Sequence, residues 1–96
     1  MVITIKGLKD ESYKKKDDEK TIVEQIRIYY ERANADGVTG VLCGSELVTA
    51  RRCPEAVEEL FQLGEKALGK RAVISKDTST FNGNSYAFVD EFEILK

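Results

Sequence analysis

The sequence predicts an α+β fold, a two-layer sandwich in which two helices cover one face of a mixed four-stranded sheet, in the order βαβαββ. Three observations lead to this prediction. Short runs of apolar residues, some alternating with polar ones, indicate strands. Two longer segments repeat apolar residues at the spacing of an amphipathic helix. An Asn-Gly pair at 82–83, between two of the short runs, indicates a hairpin.

The first half of the chain is expected to contain a strand over 1–6, a charged loop over 7–18, a helix over 21–33 ended by 34–37, and a buried strand over 38–43. The first strand follows from Ile3 and Ile5, which alternate with polar residues. The helix follows from a capping box formed by Thr21 and Glu24, and from apolar residues at helical spacing. These are Ile22, Ile26, Tyr29, Tyr30 and Ala33.

The second half is expected to contain a connection over 44–53, a helix from Pro54 to Gly69, a strand beginning at 71–75, and a return strand over 85–95. Proline favours the first position of a helix, and glycine favours the position that ends one. A connection of about ten residues exceeds the usual length, which is typical of functional loops. Alternatively, residues 47–49 extend the preceding strand. Asp90 interrupts the apolar pattern of the return strand, which predicts a bulge.

Length and composition predict a single domain over residues 1–96, with 42% hydrophobic and 33% charged residues. The net charge of −2 makes general attraction to phosphates weak. No apolar run approaches the ~20 residues of a membrane span, so we expect no membrane contact. The two cysteines, Cys43 and Cys53, are expected to be reduced thiols in a cytoplasmic protein.

Arg51, Arg52 and Cys53 form the segment whose chemistry departs most from what folding requires. A helix N-terminus carries a partial positive charge, so two arginines beside it are unfavourable unless a nearby anion neutralises their charge. Several alternatives are open: the arginines bind an acidic group of a protein partner or a small anion, they pair with nearby carboxylates of this chain such as Glu46, or they point into water. Because Ser45 and Glu46 belong to the same connection, we include both among the candidate binding residues.

Cys53 offers a second interpretation of this segment. A thiolate at a helix start would be stabilised by the helix dipole and the two arginines, which would lower its pKa. The residues Cys53-Pro54-Glu55 resemble the start of the Cys-Pro-x-Pro motif of the TusA/SirA-like sulfur carriers, in which a persulfide forms on that cysteine. Position 56 is alanine here, where the family has its second proline. The resemblance implies a thiol-based sulfur carrier that uses Cys53.

Nucleic-acid binding is the third interpretation. Lys14, Lys15 and Lys16 form a basic run, and Phe81 at the expected hairpin tip could stack on a base. The predicted element order is similar to that of Alba-type nucleic-acid-binding proteins. Acidic residues surround the lysine run, however, which indicates a solvated loop as the alternative.

From these observations we expect a small non-catalytic protein-interaction module, such as a phage or mobile-element protein that inhibits or regulates a host complex. Without histidine, and without a complete catalytic or metal motif, the sequence does not predict an enzyme, a cofactor or a metal. A protein partner is expected first and nucleic acid second. The apolar C-terminal strand also predicts a homodimer formed through a sheet edge.

Overall fold

The computed structural model describes residues 1–17, 20–33 and 37–95. Over these residues the chain forms a five-stranded antiparallel sheet, a separate two-stranded ladder and one α-helix that continues into a 3-10 turn at Gly64–Ala67. The elements are β1 Val2–Asp10, β2 Tyr13–Lys14, β3 Ile22–Val23, β4 Gln25–Ala33, β5 Val41–Thr49, α1 Pro54–Leu63, β6 Arg71–Phe81 and β7 Asn84–Ile94.

The sheet has the order β5-β4-β1-β6-β7, so β5 and β7 form its edges. Every neighbouring pair is antiparallel. The two edge strands approach each other, which makes the sheet strongly curled. The helix α1 lies on one face of this sheet, in contact with β4, β5 and β7. The small ladder pairs β2 with β3 beyond the end of β1.

The predicted fold class is wrong: the structure has one helix on a five-stranded antiparallel sheet, rather than two helices on a mixed four-stranded sheet. The error lies mainly at 21–33, where β3 and β4 replace the expected helix. In β4, Ile26, Ile28 and Tyr30 are buried and alternate with more exposed residues. That period of two suits β-branched and aromatic residues in a strand, and pairing on both sides outweighs the weaker helical pattern.

Several boundaries also change. The segment 7–18 is a loop only in part, because β1 continues to Asp10. Most of the expected connection over 44–53 belongs to β5, so the alternative extension of the strand through Thr49 is confirmed. Cys43 is exposed on that edge strand. The expected end of the helix at 34–37 falls largely on residues 34–36, which lie outside the described residues.

Three local predictions are confirmed. The helix begins at Pro54. The pair Asn82-Gly83 forms a hairpin turn with φ of 50° and 78°, the positive values that a two-residue turn requires. A bulge lies at Asp90, because Ser75 pairs with Glu91 while the next residue of β6 pairs with Val89.

The core lies between α1 and the sheet. Its fully buried side chains come from three central strands, from the edge strand β5 and from the helix. The largest are Ile3, Ile5, Ile28, Leu60, Ile74, Val48 and Val57. Tyr30 closes this core at β5, where its ring lies directly over Gly44. A Cβ at position 44 would lie 2.8 Å from the ring, so the close approach requires glycine there.

The β6–β7 hairpin is much longer than the sheet that supports it. Each of its strands has 11 residues, but β6 pairs with β1 only over residues 71–73. The Cα radius of gyration is 14.5 Å, against about 12.5 Å for a compact domain of this length. Among the described residues, no helix combines the length and hydropathy needed to cross a membrane.

Candidate functional site

The outer part of the β6–β7 hairpin projects from the body of the molecule as a two-stranded ribbon. We call residues 76–88 the arm. Most residues of the arm are exposed, including all those from Lys76 to Ala87. Its ladder is continuous from Lys76 and Val89 to the turn, with six cross-strand pairs. The arm is therefore an ordered extension that has no core of its own.

The arm is free of charge over most of its length. Residues 78–89 contain no lysine, arginine, aspartate or glutamate, and this is the longest uncharged run of a chain that is 33% charged. Serine, threonine and asparagine make up half of it. A solvated ribbon in such a chain would ordinarily carry charges, because charged side chains keep exposed strand edges from pairing. The composition thus favours contact with another molecule.

The two faces of the arm differ. Val89 is buried and faces the helix, so alternation places Ala87 and Ser85 on the same face. The opposite face of β7 carries Phe88 and Tyr86, and Phe81 of β6 lies diagonally across from Tyr86. These three aromatic residues form what we call the aromatic face. Phe81 is 65% exposed and Tyr86 49% exposed.

Arg52 joins this surface from the start of the helix. Its guanidinium carbon lies 4.1 Å from the centroid of the Phe88 ring, a cation–π arrangement. Among the described residues, neither Arg51 nor Arg52 forms a salt bridge. Within the described part of the chain, the partner of the Arg52 guanidinium is thus an aromatic ring rather than a salt-bridged carboxylate.

Cys53 is placed quite differently from its two arginine neighbours. It is only 7% exposed, and its thiol donates to the backbone carbonyl of Asp90 at 3.4 Å. Burial raises the pKa of the Cys53 thiol, and the carboxylates of Asp90 and Glu91 raise it further. This direction is opposite to the one that a thiolate at this position would need. The geometry is that of a packing residue that joins the helix start to the bulge of β7.

The other candidate residues are dispersed. Glu46 lies on the helix-side face of β5, where its Oε1 is 2.6 Å from the Nζ of Lys76 at the base of the arm. Ser45 is exposed opposite Tyr29. Lys14, Lys15 and Lys16 are exposed at the small ladder.

Only some of the candidate binding residues lie close to one another. Lys15 and Arg51 line one shallow depression together with Tyr13 and Ile22. Arg52 lines a separate cleft beside Asp90 and Glu91. The structure therefore brings Arg52 to the aromatic face and leaves the lysine run elsewhere.

Sequence reasoning identified Phe81 but missed Tyr86 and Phe88 as members of a surface. The bulge at Asp90 explains this, because it shifts the alternation by one residue. Without it, Tyr86 and Phe88 would face the core together with Phe92 and Ile94. The uncharged run 78–89 was the signal that could have revealed the arm.

Comparisons with known proteins identify no relative of this chain. Neither a protein-family model, nor a curated protein, nor a solved structure matches the chain.

Proposed function

We propose that this protein is a non-catalytic protein-interaction module that binds its partner through the aromatic face of the arm. One observation carries the proposal: an ordered ribbon that is uncharged over residues 78–89 exposes Phe81 and Tyr86 on the same face. Exposed aromatic residues within a polar rim are characteristic of protein-binding surfaces. Such residues often contribute most of the binding free energy.

The arm supplies the other features that such a surface needs. Its strands are held in register by the Asn82-Gly83 turn, so little conformational freedom remains to be lost on binding. Serine, threonine and asparagine side chains next to the aromatic residues can form hydrogen bonds at the rim. Arg52, stacked on Phe88, extends the surface towards the body and adds a positive charge.

The charges around the arm favour a protein over a nucleic acid. Binding to a nucleic-acid backbone depends on lysine and arginine near the phosphates. Residues 78–89 contain neither, and Lys76 is paired with Glu46. The carboxylates of Asp90, Glu91 and Glu93 follow directly. A stacking platform with Arg52 as its cation and carboxylates close by would bind single strands weakly.

We further propose a reducing compartment such as the cytoplasm as the location of the protein. Both cysteines are free, and Cys43 is exposed on an edge strand. An exposed thiol persists most readily where disulfides are kept reduced.

Affinity capture from lysate, with and without nuclease, tests the proposed function. The variant carries Phe81→Ser and Tyr86→Ser, and the matched control carries Tyr13→Ser. Tyr13 is a suitable control because it is 53% exposed and also lies on a two-stranded hairpin. We expect a nuclease-resistant protein to be captured by the wild type and the control, and at least about tenfold less by the variant.

Two results would contradict the proposal. Equal capture by the double variant and the wild type would show that the arm is not the binding surface. Capture that disappears on nuclease treatment would move nucleic-acid binding to first place, and its steep dependence on salt would then be the next measurement.

A further inference from the structure

We propose that a second surface, separate from the arm, binds a basic amphipathic segment of a partner protein. This surface consists of two adjoining depressions between the helix and the end of β1. Phe61 and Asp10 line both depressions, Ile22 lines one of them and Leu68 lines the other. We call the two depressions together the acidic groove. Residues 76–88 of the arm are all described, and none of them lines the acidic groove, so it acts independently of the aromatic face.

Large apolar side chains of the acidic groove are open to solvent. Ile22 is 57% exposed, Phe61 38% and Leu68 45%. Because Phe61 lines a depression with each of the other two, the three form one patch rather than isolated residues. The depression that holds Leu68 has a volume of about 440 Å³, within the range of clefts that receive a ligand. An exposed apolar patch with polar residues around it is a mark of an interaction site.

The charged residues of the acidic groove all carry the same sign. Among the described residues, no lysine or arginine lines it, whereas four carboxylates do. The chain as a whole is nearly balanced, with 15 basic and 17 acidic residues, so this is a local departure from the balance. The four are Asp10, Glu24, Glu58 and Glu65. In the part of the chain that the structure describes, none of the four forms a salt bridge.

This charge selects the class of partner. Phosphates of nucleic acids and anionic lipid headgroups are repelled by a surface whose only charges are carboxylates. Lysine or arginine side chains of a protein are attracted to it, and complementary charges determine which partner is accepted. Because the carboxylates surround an apolar patch, the partner needs large apolar side chains next to its basic ones. A basic amphipathic segment combines the two.

The arrangement along the helix fits such a segment. Glu58, Phe61, Glu65 and Leu68 follow one another at intervals of three or four residues along α1 and its 3-10 extension. Side chains at these intervals are neighbours on a helix surface. Acidic and apolar side chains therefore alternate in one stripe. A partner segment with basic and large apolar side chains in alternation can place each group against its complement.

The position of one carboxylate is fixed at the centre of the acidic groove. Asp10 lies at the end of β1 and lines both depressions beside Phe61. The amide of Ser12 donates to Oδ1 of Asp10 at 2.9 Å, which orients the carboxylate. The side chain and the amide of Ser12 also lower the pKa of the Asp10 carboxyl, so the negative charge is retained well below neutral pH.

Fluorescence anisotropy with synthetic peptides tests the proposal. The probe is a labelled amphipathic peptide of leucine and lysine with about 14 residues, long enough to form a helical segment. A second peptide carries glutamate in place of each lysine. We expect the lysine peptide to bind the wild type, more weakly as the salt concentration rises, and the glutamate peptide to show no binding.

Charge reversal on the exposed surface of the helix shows whether the peptide occupies the acidic groove. Glu58→Lys combined with Glu65→Lys should raise the dissociation constant of the lysine peptide at least about tenfold. The matched control is Glu55→Lys combined with Glu93→Lys, which changes the net charge equally at exposed positions outside the acidic groove. We expect a clearly smaller effect of the control, because it leaves the groove carboxylates in place.

Phe61→Ser tests the apolar part of the surface. It should also raise the dissociation constant at least about tenfold, because an exposed aromatic residue at the centre of a patch is a typical anchor. Phe81→Ser, at the tip of the arm, is its control and should leave peptide binding unchanged. Urea unfolding of each variant establishes that it is folded under the conditions of the binding measurement.

The outcomes separate the acidic groove from the proposed function. Binding of the lysine peptide that is lost in the groove variants and retained in both controls supports the proposal. No binding of the lysine peptide, binding of both peptides, or equal effects of the two charge reversals would overturn it, while leaving capture by the aromatic face untouched. If the peptide binds the acidic groove but the Phe81 and Tyr86 variant still captures its partner from lysate, the proposed function fails and the acidic groove stands.

Discussion

The inner and outer halves of the β6–β7 hairpin share one ladder but have opposite surroundings. In the inner half, Ala72, Ile74 and Ile94 are buried against the helix. In the outer half, the corresponding helix-side positions hold Thr78 and Thr80, and the large apolar residues lie on the other face. The inner half is stabilised by the core. The outer half has only its turn, its ladder and whatever binds to it.

The bulge at Asp90 marks the border between these halves. One extra residue in β7 reverses which side chains face the helix, so that Val89 faces the core while Phe88 and Tyr86 do not. The thiol of Cys53 packs against the carbonyls of Val89 and Asp90 at this point. A single inserted residue therefore allows one strand to contribute to the core at one end and to the proposed binding surface at the other.

The largest difference between the halves is expected for truncation of a side chain. Ile74 is 1% exposed, so Ile74→Ala should lower the free energy of unfolding by about 2–5 kcal/mol. Thr78→Ala, four residues further along the same face of β6, should change it by no more than about 0.5 kcal/mol. Urea unfolding of both variants checks this. Equal losses would mean that the arm contributes to the core.

Close packing inside the body gives the next largest effect. Gly44→Ala brings a methyl group against the buried ring of Tyr30, and we expect a loss of about 1–3 kcal/mol. Gly7→Ala is the control, because a Cβ there would lie 3.4 Å from Tyr29, an ordinary contact distance. Thermal unfolding compares the two. A more stable Gly44→Ala variant would show that the Tyr30 ring shifts without cost.

The turn should affect the arm alone. Gly83 has a φ of 78°, which an alanine adopts only with strain, so Gly83→Ala should destabilise the arm by about 1 kcal/mol. Amide hydrogen exchange should become faster at Ser79 and Tyr86 while remaining unchanged at Ile5 and Ile28. Faster exchange in the central strands would contradict the independence of the two halves.

The smallest effect on stability concerns Cys53 and pH. Burial raises the pKa of this thiol in the folded state, so the folded protein holds the proton more tightly than the unfolded chain. Its contribution is complete below the pKa of the unfolded thiol, about 8.5. It is lost as the pH rises towards the higher folded value.

Alkaline unfolding of the wild type and Cys53→Ala checks this sign. Stability should fall more steeply with rising pH in the wild type than in the variant. At neutral pH, alkylation of Cys43 should be much faster than that of Cys53, because only Cys43 is exposed. Rapid alkylation of Cys53 would show that the helix start opens in solution.

Local residue preferences correctly predicted the helix start at Pro54 and the Asn82-Gly83 turn, and the interrupted apolar pattern at Asp90 correctly predicted the bulge. The capping box expected at Thr21 and Glu24 was wrong, because β3 lies there. Prediction from the sequence failed where two patterns overlap. The segment 21–33 carries apolar residues at helical spacing, and Ile26, Ile28 and Tyr30 also alternate with period two. Pairing of β4 with β1 and β5 favours the strand over the helix. The local preferences of the residues in β4 do not predict that pairing.

The candidate site divides in the same way. The sequence indicated Arg52 and Phe81 as residues of interest, and it contains the uncharged run that forms the arm. It could not show that Arg52 stacks on Phe88, or that the lysine run lies elsewhere. These relations join residues that are far apart in the chain.

By itself, the sequence determined the turn and the helix start, because glycine, asparagine and proline act through the backbone angles of their own few residues. It also indicated the bulge, because Asp90 interrupts the apolar alternation of the return strand. Only the tertiary structure decided which strands pair, which face of β7 meets the helix, and how far the hairpin extends beyond its support. Those features depend on burial of apolar surface between distant segments, and the extent of that surface is set by the whole fold.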